Sequence, residues 1–246
     1  MKKLILIFFA FSLTAVSIAQ KSDSIGYAGR KNTIRWNLTP MLILSGKSFV
    51  LGYERIVSSH QSFSINVGYL QLSPFKDKDK NPIQLLEQES RGGFDIAVDY
   101  RFYFKKRNKR IAPDGLYWGP YSAYYYLFYK GKGSIFEDDV VVNTLTFDGN
   151  FQMISTGVQL GYQFVFWERL SVDLILMGPS FTYYKIDLGM QTEFALSPEY
   201  YEDLKELFGD LPILKELIEN QTFSSSGKVD FGHVGFRYGI QIGYRF

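Results

Sequence analysis

The amino-acid sequence predicts an all-β protein, an eight-stranded antiparallel up-and-down transmembrane β-barrel with a short helical pair in its last outer loop. Three observations predict this fold. Apolar residues alternate with polar or small residues over eight segments, as in strands with one apolar face. Aromatic residues make up 17% of the chain, which suits a barrel with aromatic girdles at both lipid interfaces. Long and short connections fall on opposite sides of the predicted barrel, as in outer-membrane barrels.

The first residues of the chain have the pattern of an export signal. Lys2 and Lys3 precede the apolar residues 4–15, and Ser17 and Ala19 are small residues suited to a cleavage site. The apolar run is too short for a bilayer-spanning helix. We therefore expect residues 1–19 to be a signal peptide and residues 20–246 to form one barrel domain in the outer membrane.

Charge and cysteine content exclude several classes of function. The chain has a net charge of +2, and loss of the two signal-peptide lysines would leave the mature protein neutral. A neutral chain has no global electrostatic signature for nucleic acid. The chain contains no cysteine, which excludes disulfides, thiolate metal sites and a thiol nucleophile.

Eight segments carry the alternation, and the fourth and the eighth are the clearest. Their apolar sets are Phe94, Ile96, Val98, Tyr100, Phe102 and Phe104, and Val234, Phe236, Tyr238, Ile240, Ile242, Tyr244 and Phe246. The remaining segments are marked by Ile34, Trp36, Leu38 and Leu42; by Phe49, Leu51 and Tyr53; by Phe63, Ile65, Val67 and Tyr69; by Tyr117, Tyr121, Tyr125 and Leu127; by Ile154, Val158, Leu160, Tyr162 and Phe164; and by Leu170, Val172, Leu174 and Leu176. We expect these sets to face lipid, because the opposite faces mix glycine with charged residues, as a narrow lumen requires. The reverse arrangement would indicate a soluble periplasmic barrel of the lipocalin type.

The connections predict how the barrel is oriented. The long ones cover residues 73–90, 131–149 and 186–227, whereas the turns at residues 57–59 and 167–169 are short. The turn at residues 45–47 is the exception, because it is short but lies on the side of the long connections. Outer-membrane barrels keep their periplasmic turns short and let their outer loops grow. In the last outer loop, Ser197 and Pro198 begin an amphipathic pattern that predicts a helical pair over about residues 197–219. We expect this pair to pack over the barrel mouth or to serve as a platform for a partner.

The lumen face of the predicted strands carries four acids and four arginines: Glu54, Asp95, Asp99 and Asp173, with Arg35, Arg101, Arg237 and Arg245. Buried charges have to be paired, and an eight-stranded bore is just wide enough to be filled by side chains. We therefore expect a lumen closed by charged side chains. A gated pore is the alternative, and it requires these pairs to break.

Other chemistry-bearing residues give weaker signals. His233 with Asp230 and a serine at 224–226 has the residue types of an acyl hydrolase or transferase, but the spacing matches no known motif, and His60 lies at the opposite end of the barrel. The acids at 137–139 do not fix a metal geometry. A basic cluster after strand 4 faces the periplasm and suits anionic headgroups or the cell wall; it comprises Lys105, Lys106, Arg107, Lys109 and Arg110. We expect no catalytic residue, cofactor or metal site.

Residues 111–126 read Ile-Ala-Pro-Asp-Gly-Leu-Tyr-Trp-Gly-Pro-Tyr-Ser-Ala-Tyr-Tyr-Tyr. Together with the preceding Tyr-Arg-Phe-Tyr-Phe and the terminal Gly-Tyr-Arg-Phe, this segment resembles a family of uncharacterised small outer-membrane barrels of Bacteroidetes-type bacteria, a domain of unknown function. The resemblance implies a porin-like or OmpA/OmpX-like architecture and no known activity.

The expected partners follow from the predicted location. They are outer-membrane lipid and lipopolysaccharide, the barrel-assembly machinery during insertion, and an unknown surface partner at the outer loops. Tyr244 and Phe246 resemble the carboxy-terminal insertion signal that the assembly machinery recognises. The function predicted from the sequence is therefore a structural or surface-interaction role.

Overall fold

The computed structural model describes residues 30–73, 83–108, 111–137, 140–191 and 228–246. The predicted signal peptide and the predicted helical pair lie outside these residues. Eight strands and one short helix make up the described fold. They are β1 (Asn32–Asn37), α1 (Thr39–Ile43), β2 (Phe49–Ser58), β3 (Gln61–Leu70), β4 (Ile83–Tyr103), β5 (Gly115–Glu137), β6 (Val140–Phe166), β7 (Leu170–Gln191) and β8 (Lys228–Arg245).

The strands form one closed antiparallel ring in chain order, so the predicted eight-stranded barrel is confirmed. β1 closes the ring by pairing with β8, with Trp36 opposite Ile242. Leu42, which we expected in the first strand, lies instead in α1. Pro40 explains this difference, because proline lacks the N–H that a strand ladder needs and is tolerated in the first turn of a helix. Within the described residues, no helix is long and apolar enough to cross a membrane.

The wall of the barrel differs in height around the ring. β1, β2 and β3 contain 6, 10 and 10 residues, whereas β5 and β6 contain 23 and 27. The ladder between β3 and β4 ends at the pair of Leu70 with Gly93, while β4 continues upward against β5 alone to Ile83. Above the closed ring, β4 to β8 therefore form a five-stranded sheet, which we call the outer extension.

The outer extension corrects our prediction for the long connections. We expected loops over residues 73–90, 131–149 and 186–227. In the structure β4 begins at Ile83, β5 and β6 are interrupted at residues 138–139 alone, and β7 runs to Gln191. The alternation no longer follows the pattern of the ring in these segments because they lie outside the lipid, but ladder pairing does not need a lipid-facing apolar set.

Side chains in the closed ring are arranged as in a membrane barrel. Phe236 is 60% exposed and Phe94 is 46% exposed on the outer face, whereas Asp99 and Arg101 on the inner face are 3% and 0% exposed. A soluble barrel has the opposite arrangement, with apolar side chains inside. The chain is therefore a transmembrane β-barrel of the outer-membrane type.

Tyrosine hydroxyls mark both edges of the apolar outer belt. Near the short turns, Tyr53 donates to Asn32 Oδ1 at 2.7 Å and Tyr100 donates to Gln61 Oε1 at 2.9 Å. At the other edge, Tyr126 donates to Asn150 Oδ1 at 2.9 Å. Each ring lies against apolar neighbours while its hydroxyl reaches a polar residue, which is how tyrosine sits at a lipid–water interface.

The polarity of the two faces reverses above the belt. On β7 the outward residues change from Phe181 and Tyr183 to Lys185, while the inward residues change from Asp173 to Ile186 and Leu188. Tyr129, Phe151 and Tyr184 are buried on the same inner face. The outer extension is thus apolar inside and polar outside, as expected of a sheet that stands in water.

One strand faces differently from our prediction. Tyr117, Tyr121 and Leu127 of β5, which we expected to face lipid, are buried inside the barrel, and Trp118 of the same strand is exposed to the outside. Tyr125, at the same parity, also faces inward. The tyrosines can face inward because tyrosine is amphipathic: its ring fills space in the lumen while its hydroxyl finds a polar partner there. Tyr117 donates to Asp173, and Tyr121 donates to the carbonyl oxygen of Gly178.

Candidate functional site

The lumen contains a network of buried ion pairs near the short-turn end of the barrel. Arg101 Nη1 lies 2.8 Å from Asp173 Oδ2, and Arg101 Nε lies 2.6 Å from Asp99 Oδ1. Arg35 Nη1 lies 3.1 Å from Asp173 Oδ2 and 3.7 Å from Glu54 Oε2. All five side chains are fully inaccessible to solvent. We call these five residues, Arg35, Glu54, Asp99, Arg101 and Asp173, the lumen cluster.

The lumen cluster joins strands that are not all neighbours. Arg35 belongs to β1, Glu54 to β2, Asp99 and Arg101 to β4, and Asp173 to β7. Arg101 also approaches Glu54, with Nη1 3.6 Å from Oε1. Because side chains from four strands of the ring meet at one level, they close the bore there.

Neutral polar side chains add hydrogen bonds to the charged groups of the lumen cluster. Tyr117 donates to Asp173 Oδ1 at 2.7 Å, and its ring centre lies 4.4 Å from the Arg101 guanidinium carbon. Gln163 Nε2 donates to Glu54 Oε2 at 3.0 Å, and Gln163 Oε1 accepts from the Tyr103 hydroxyl at 2.8 Å. A buried ion pair gains stability when its remaining lone pairs and protons also find partners. These residues supply several of them, whereas Arg35 Nε and Arg101 Nη2 have no hydrogen-bond partner within the described part of the chain.

Serine hydroxyls from β3 supply further hydrogen bonds. Ser62 donates to Glu54 Oε1 at 2.7 Å, and Ser64 donates to Asp99 Oδ2 at 2.9 Å while accepting from Arg35. The predicted lumen network did not include these serines, Tyr103 or Gln163, and Tyr117 was assigned to the lipid face. The signal that could have found the serines was available, since Ser62 and Ser64 alternate with Phe63 and Ile65.

The other three predicted lumen charges lie outside the lumen cluster. Arg245 donates to two main-chain carbonyls near the short-turn end, those of Glu168 at 3.2 Å and Arg30 at 2.9 Å. Arg237 places its guanidinium carbon 4.9 Å from the centre of the Tyr121 ring. Asp95 is buried, and its Oδ1 has no hydrogen-bond partner within the described part of the chain. The structure thus brings five of the predicted charges together and leaves three apart.

The predicted insertion residues lie at the edge of the ring. Tyr244 and Phe246 are exposed on the outer face, and the main chain of Phe246 pairs with Asn32 at 2.9 and 3.2 Å. Recognition of these side chains by the assembly machinery stays a prediction.

The residues of the alternative enzyme site do not converge in the described structure. His233 Nδ1 contacts the carbonyl oxygen of Val234 at 2.7 Å. Asp230 accepts from the Tyr183 hydroxyl on the outer face, and a strand residue three positions away points to the opposite face. The serines at 224–226 lie outside the described residues.

The structure describes only part of the predicted basic cluster and little of the acidic segment at residues 137–139. Lys105, Lys106 and Arg107 are exposed in the turn after β4, whereas Lys109 and Arg110 lie outside the described residues. Among the side chains that the structure describes, no group of three or more acidic or histidine residues is placed to hold a metal ion. Asp138 and Asp139 lie outside the described chain, and the Glu137 side chain is not described.

Comparison with known proteins adds structural relatives and a family. The fold is similar to CarO2 of Acinetobacter baumannii (TM-score 0.40, 11% identity, covering 88% of this chain and 98% of that one) and to CarO of the same organism (0.40, 11%, 90% and 99%). It is also similar to a major outer membrane protein of Thermus thermophilus (TM-score 0.36, 12% identity, covering 89% of this chain and 100% of that one). No curated protein matches the sequence. The family model "Protein of unknown function (DUF3575)" matches residues 5–189, three quarters of the sequence, and the chain therefore belongs to that family.

Proposed function

We propose that this protein is a closed outer-membrane barrel with a structural or surface-interaction role, in which the ring anchors the outer extension at the cell surface. The observation that carries this proposal is the combination of a bore filled by the lumen cluster with strands that continue beyond the lipid belt. A channel would need an open bore, and the fully buried Arg101–Asp173 pair at 2.8 Å crosses it. The outer extension presents a polar outer face instead, which suits contact with water or with a partner.

The closed bore is tested by conductance. The purified protein in planar bilayers should show no stable conductance, whereas the combined Arg35→Ser, Arg101→Ser and Asp173→Ser variant should conduct ions, because the side chains that fill the bore are gone. Lys132→Ser, which changes an exposed charge of the outer extension, is the control and should stay silent. Stable conductance by the native protein would overturn the closed-barrel proposal.

Surface display is tested by labelling, which the absence of cysteine makes simple. Lys185→Cys in the outer extension should react with a membrane-impermeant maleimide on intact cells. Lys106→Cys, at an exposed lysine in the turn after β4, should react only after the outer membrane is permeabilised. Labelling of Lys106→Cys but not Lys185→Cys on intact cells would reverse the proposed orientation.

A further inference from the structure

Cations that are exposed or half-buried surround the short-turn end of the barrel. Among the described residues they are Arg30, Lys31, Arg55, Lys105, Lys106, Arg107 and Arg169, which we call the basic collar. They fall into two patches. One lies at the seam where β7, β8, β1 and β2 meet, and the other lies in the turn after β4.

The seam patch is connected to the tyrosine girdle by side-chain contacts. Asn32 Oδ1 accepts both from the Tyr53 hydroxyl at 2.7 Å and from Arg55 Nη1 at 3.2 Å. The guanidinium carbon of Arg169 lies 5.9 Å from the centre of the Tyr244 ring, and Arg169 Nη1 donates to the Tyr244 hydroxyl. Since Tyr53 and Tyr244 mark the edge of the apolar belt, these two arginines lie at the depth of lipid headgroups.

The second patch begins directly below the belt. Phe104 is exposed on the outside of the barrel, and Lys105, Lys106 and Arg107 follow it in an exposed turn. His60 of the neighbouring turn lies near enough to Lys105 for the lysine charge to lower its pKa, after the larger effect of burial. This patch therefore also presents its cations next to the lipid interface.

The two ends of the barrel differ in charge balance. At the short-turn end, Glu168 and Asp114 are the acidic side chains among the described residues, and Glu168 pairs with Arg30 at 2.9 Å. At the outer end, charges of opposite sign lie close together at two places. Lys132 lies 2.9 Å from Glu89, and Lys228 lies 3.4 Å from Asp187. Among the described residues, the seven cations of the basic collar thus accompany two acids at the end that the proposed orientation places in the periplasm.

We infer that the basic collar binds the phosphodiester headgroups of anionic phospholipids in the inner leaflet of the outer membrane. Guanidinium groups match phosphate oxygens in geometry and charge, and each Lys or Arg close to an anionic leaflet strengthens binding. The Asn32 oxygen that Arg55 shares with Tyr53, and the contact of Arg169 with Tyr244, favour a lipid partner over the cell wall, because they hold these cations at the membrane surface. The assignment to the inner leaflet rests on the proposed orientation of the barrel. The binding of anionic headgroups by the collar does not depend on that orientation.

Tryptophan provides a reporter beside each patch. Trp167, which is 84% exposed, lies two residues from Arg169, and Trp118 stacks on Phe102 with 5.1 Å between ring centres, close to the second patch. Variants that keep one of these tryptophans, with phenylalanine at the other two tryptophan positions, are reconstituted in bilayers of phosphatidylcholine mixed with phosphatidylglycerol. Quenching by the brominated form of either lipid gives the preference for phosphatidylglycerol at each patch. Both leaflets have the same composition, so the direction of insertion does not affect the result.

Neutral substitutions should lower this preference at the patch in which they are made. With Trp167 as reporter, Arg55→Gln combined with Arg169→Gln should lower the preference for phosphatidylglycerol by about fivefold or more, roughly the effect of one cation at an anionic surface. With Trp118 as reporter, Lys105→Gln, Lys106→Gln and Arg107→Gln together should do the same. Lys185→Gln combined with Lys228→Gln in the outer extension is the control and should change neither value. Heat-modifiable migration on gels verifies that each variant is folded.

Three results would overturn the inference. The first is equal quenching by the two lipids in the native protein. The second is a preference that millimolar inorganic phosphate removes as effectively as the substitutions do, which would indicate a site for free phosphate. The third is collar-dependent sedimentation with purified peptidoglycan while the lipid preference is unchanged by the substitutions, which would make the cell wall the partner.

Discussion

Arg101 and Asp173 meet across the lumen at 2.8 Å, although β5 and β6 lie between their strands along the ring. Asp173 also receives Arg35 from β1 and the hydroxyl of Tyr117 from β5. One carboxylate therefore joins three separate parts of the wall. Neutralising Asp173 therefore removes the closest counter-charge of Arg35 and one of the two close counter-charges of Arg101, which keeps Asp99 at 2.6 Å.

Replacing Asp173 with asparagine should destabilise the barrel strongly. The substitution keeps the shape of the side chain and leaves two buried guanidinium groups with less compensation, which costs about 3–5 kcal/mol when one partner of a buried pair is removed. Urea unfolding in lipid vesicles measures the loss. Glu89→Gln, the same chemical change at a surface carboxylate that pairs with Lys132, should leave the unfolding midpoint nearly unchanged. Equal stability of the two variants would contradict the structural role of the lumen cluster.

Gly161 should not tolerate alanine. A Cβ at this position would lie 2.3 Å from the Tyr117 hydroxyl oxygen, so Tyr117 would have to move away from Asp173. Overpacking of this kind costs about 1–3 kcal/mol, measured as a lower unfolding free energy in lipid. Gly46→Ala is the matched control, because a Cβ there meets nothing within 4 Å. If both alanine variants are as stable as the native protein, Tyr117 has freedom that the structure does not show.

The apolar belt predicts where a charge on the outer face is costly. Val98 lies between Tyr100 and Phe94 on the lipid face of β4, so Val98→Arg should reduce the unfolding free energy in bilayers by about 2–4 kcal/mol. Asn150→Arg introduces the same side chain on the outer face of β6 at the edge of the belt and should cost much less. Equal destabilisation by the two substitutions would contradict the assignment of Val98 to the lipid face of the barrel.

His60 should titrate below its ordinary pKa of 6.5, because burial and the nearby charge of Lys105 lower its pKa. The folded protein then favours neutral His60, so its contribution to stability is complete above the ordinary pKa and declines as pH falls toward the lowered value. Lys105→Gln should raise the pKa of His60, as followed by NMR in a His233→Asn background, where His60 is the one remaining histidine. Lys106→Gln is the control; an unchanged pKa in Lys105→Gln would exclude the proposed electrostatic effect.

The alternation of side chains predicted the strands of the ring, because a two-residue period is a property of each extended strand and does not depend on which strand it pairs with. Phe94, Val98 and Phe236 alternate against Asp95, Asp99 and Arg237, and this pattern is sufficient to assign faces. It failed at β5, where Tyr117 and Tyr121 were assigned to lipid on hydrophobicity. Tyrosine carries both an apolar ring and a hydroxyl that donates a hydrogen bond, so it can face either lipid or lumen. The polar groups around it decide which face it takes.

The contacts of the lumen cluster were beyond what the sequence can specify. Alternation places Arg101 and Asp173 on the inner face, but which arginine meets which acid depends on strand order, stagger and tilt around the closed ring. Asp95 shows the limit clearly, since it has the same chemical type and face as Asp99 and yet has no ion pair within the described residues. The loop predicted over residues 131–149 was wrong for a different reason: cross-strand pairing continues there, although the two faces of the sheet exchange polarity above the lipid belt.

The unbroken ladder between β5 and β6 has an evolutionary consequence. From Gly115 opposite Gln163 up to Lys130 opposite Asp148, these strands pair without a shift in register. Removing two residues from each arm near the tip would shorten the hairpin while every remaining side chain kept its face, since strand faces repeat every second residue. Descendants of such a protein can vary how far they project from the cell by matched deletions or insertions, and the part that holds them in the bilayer need not change.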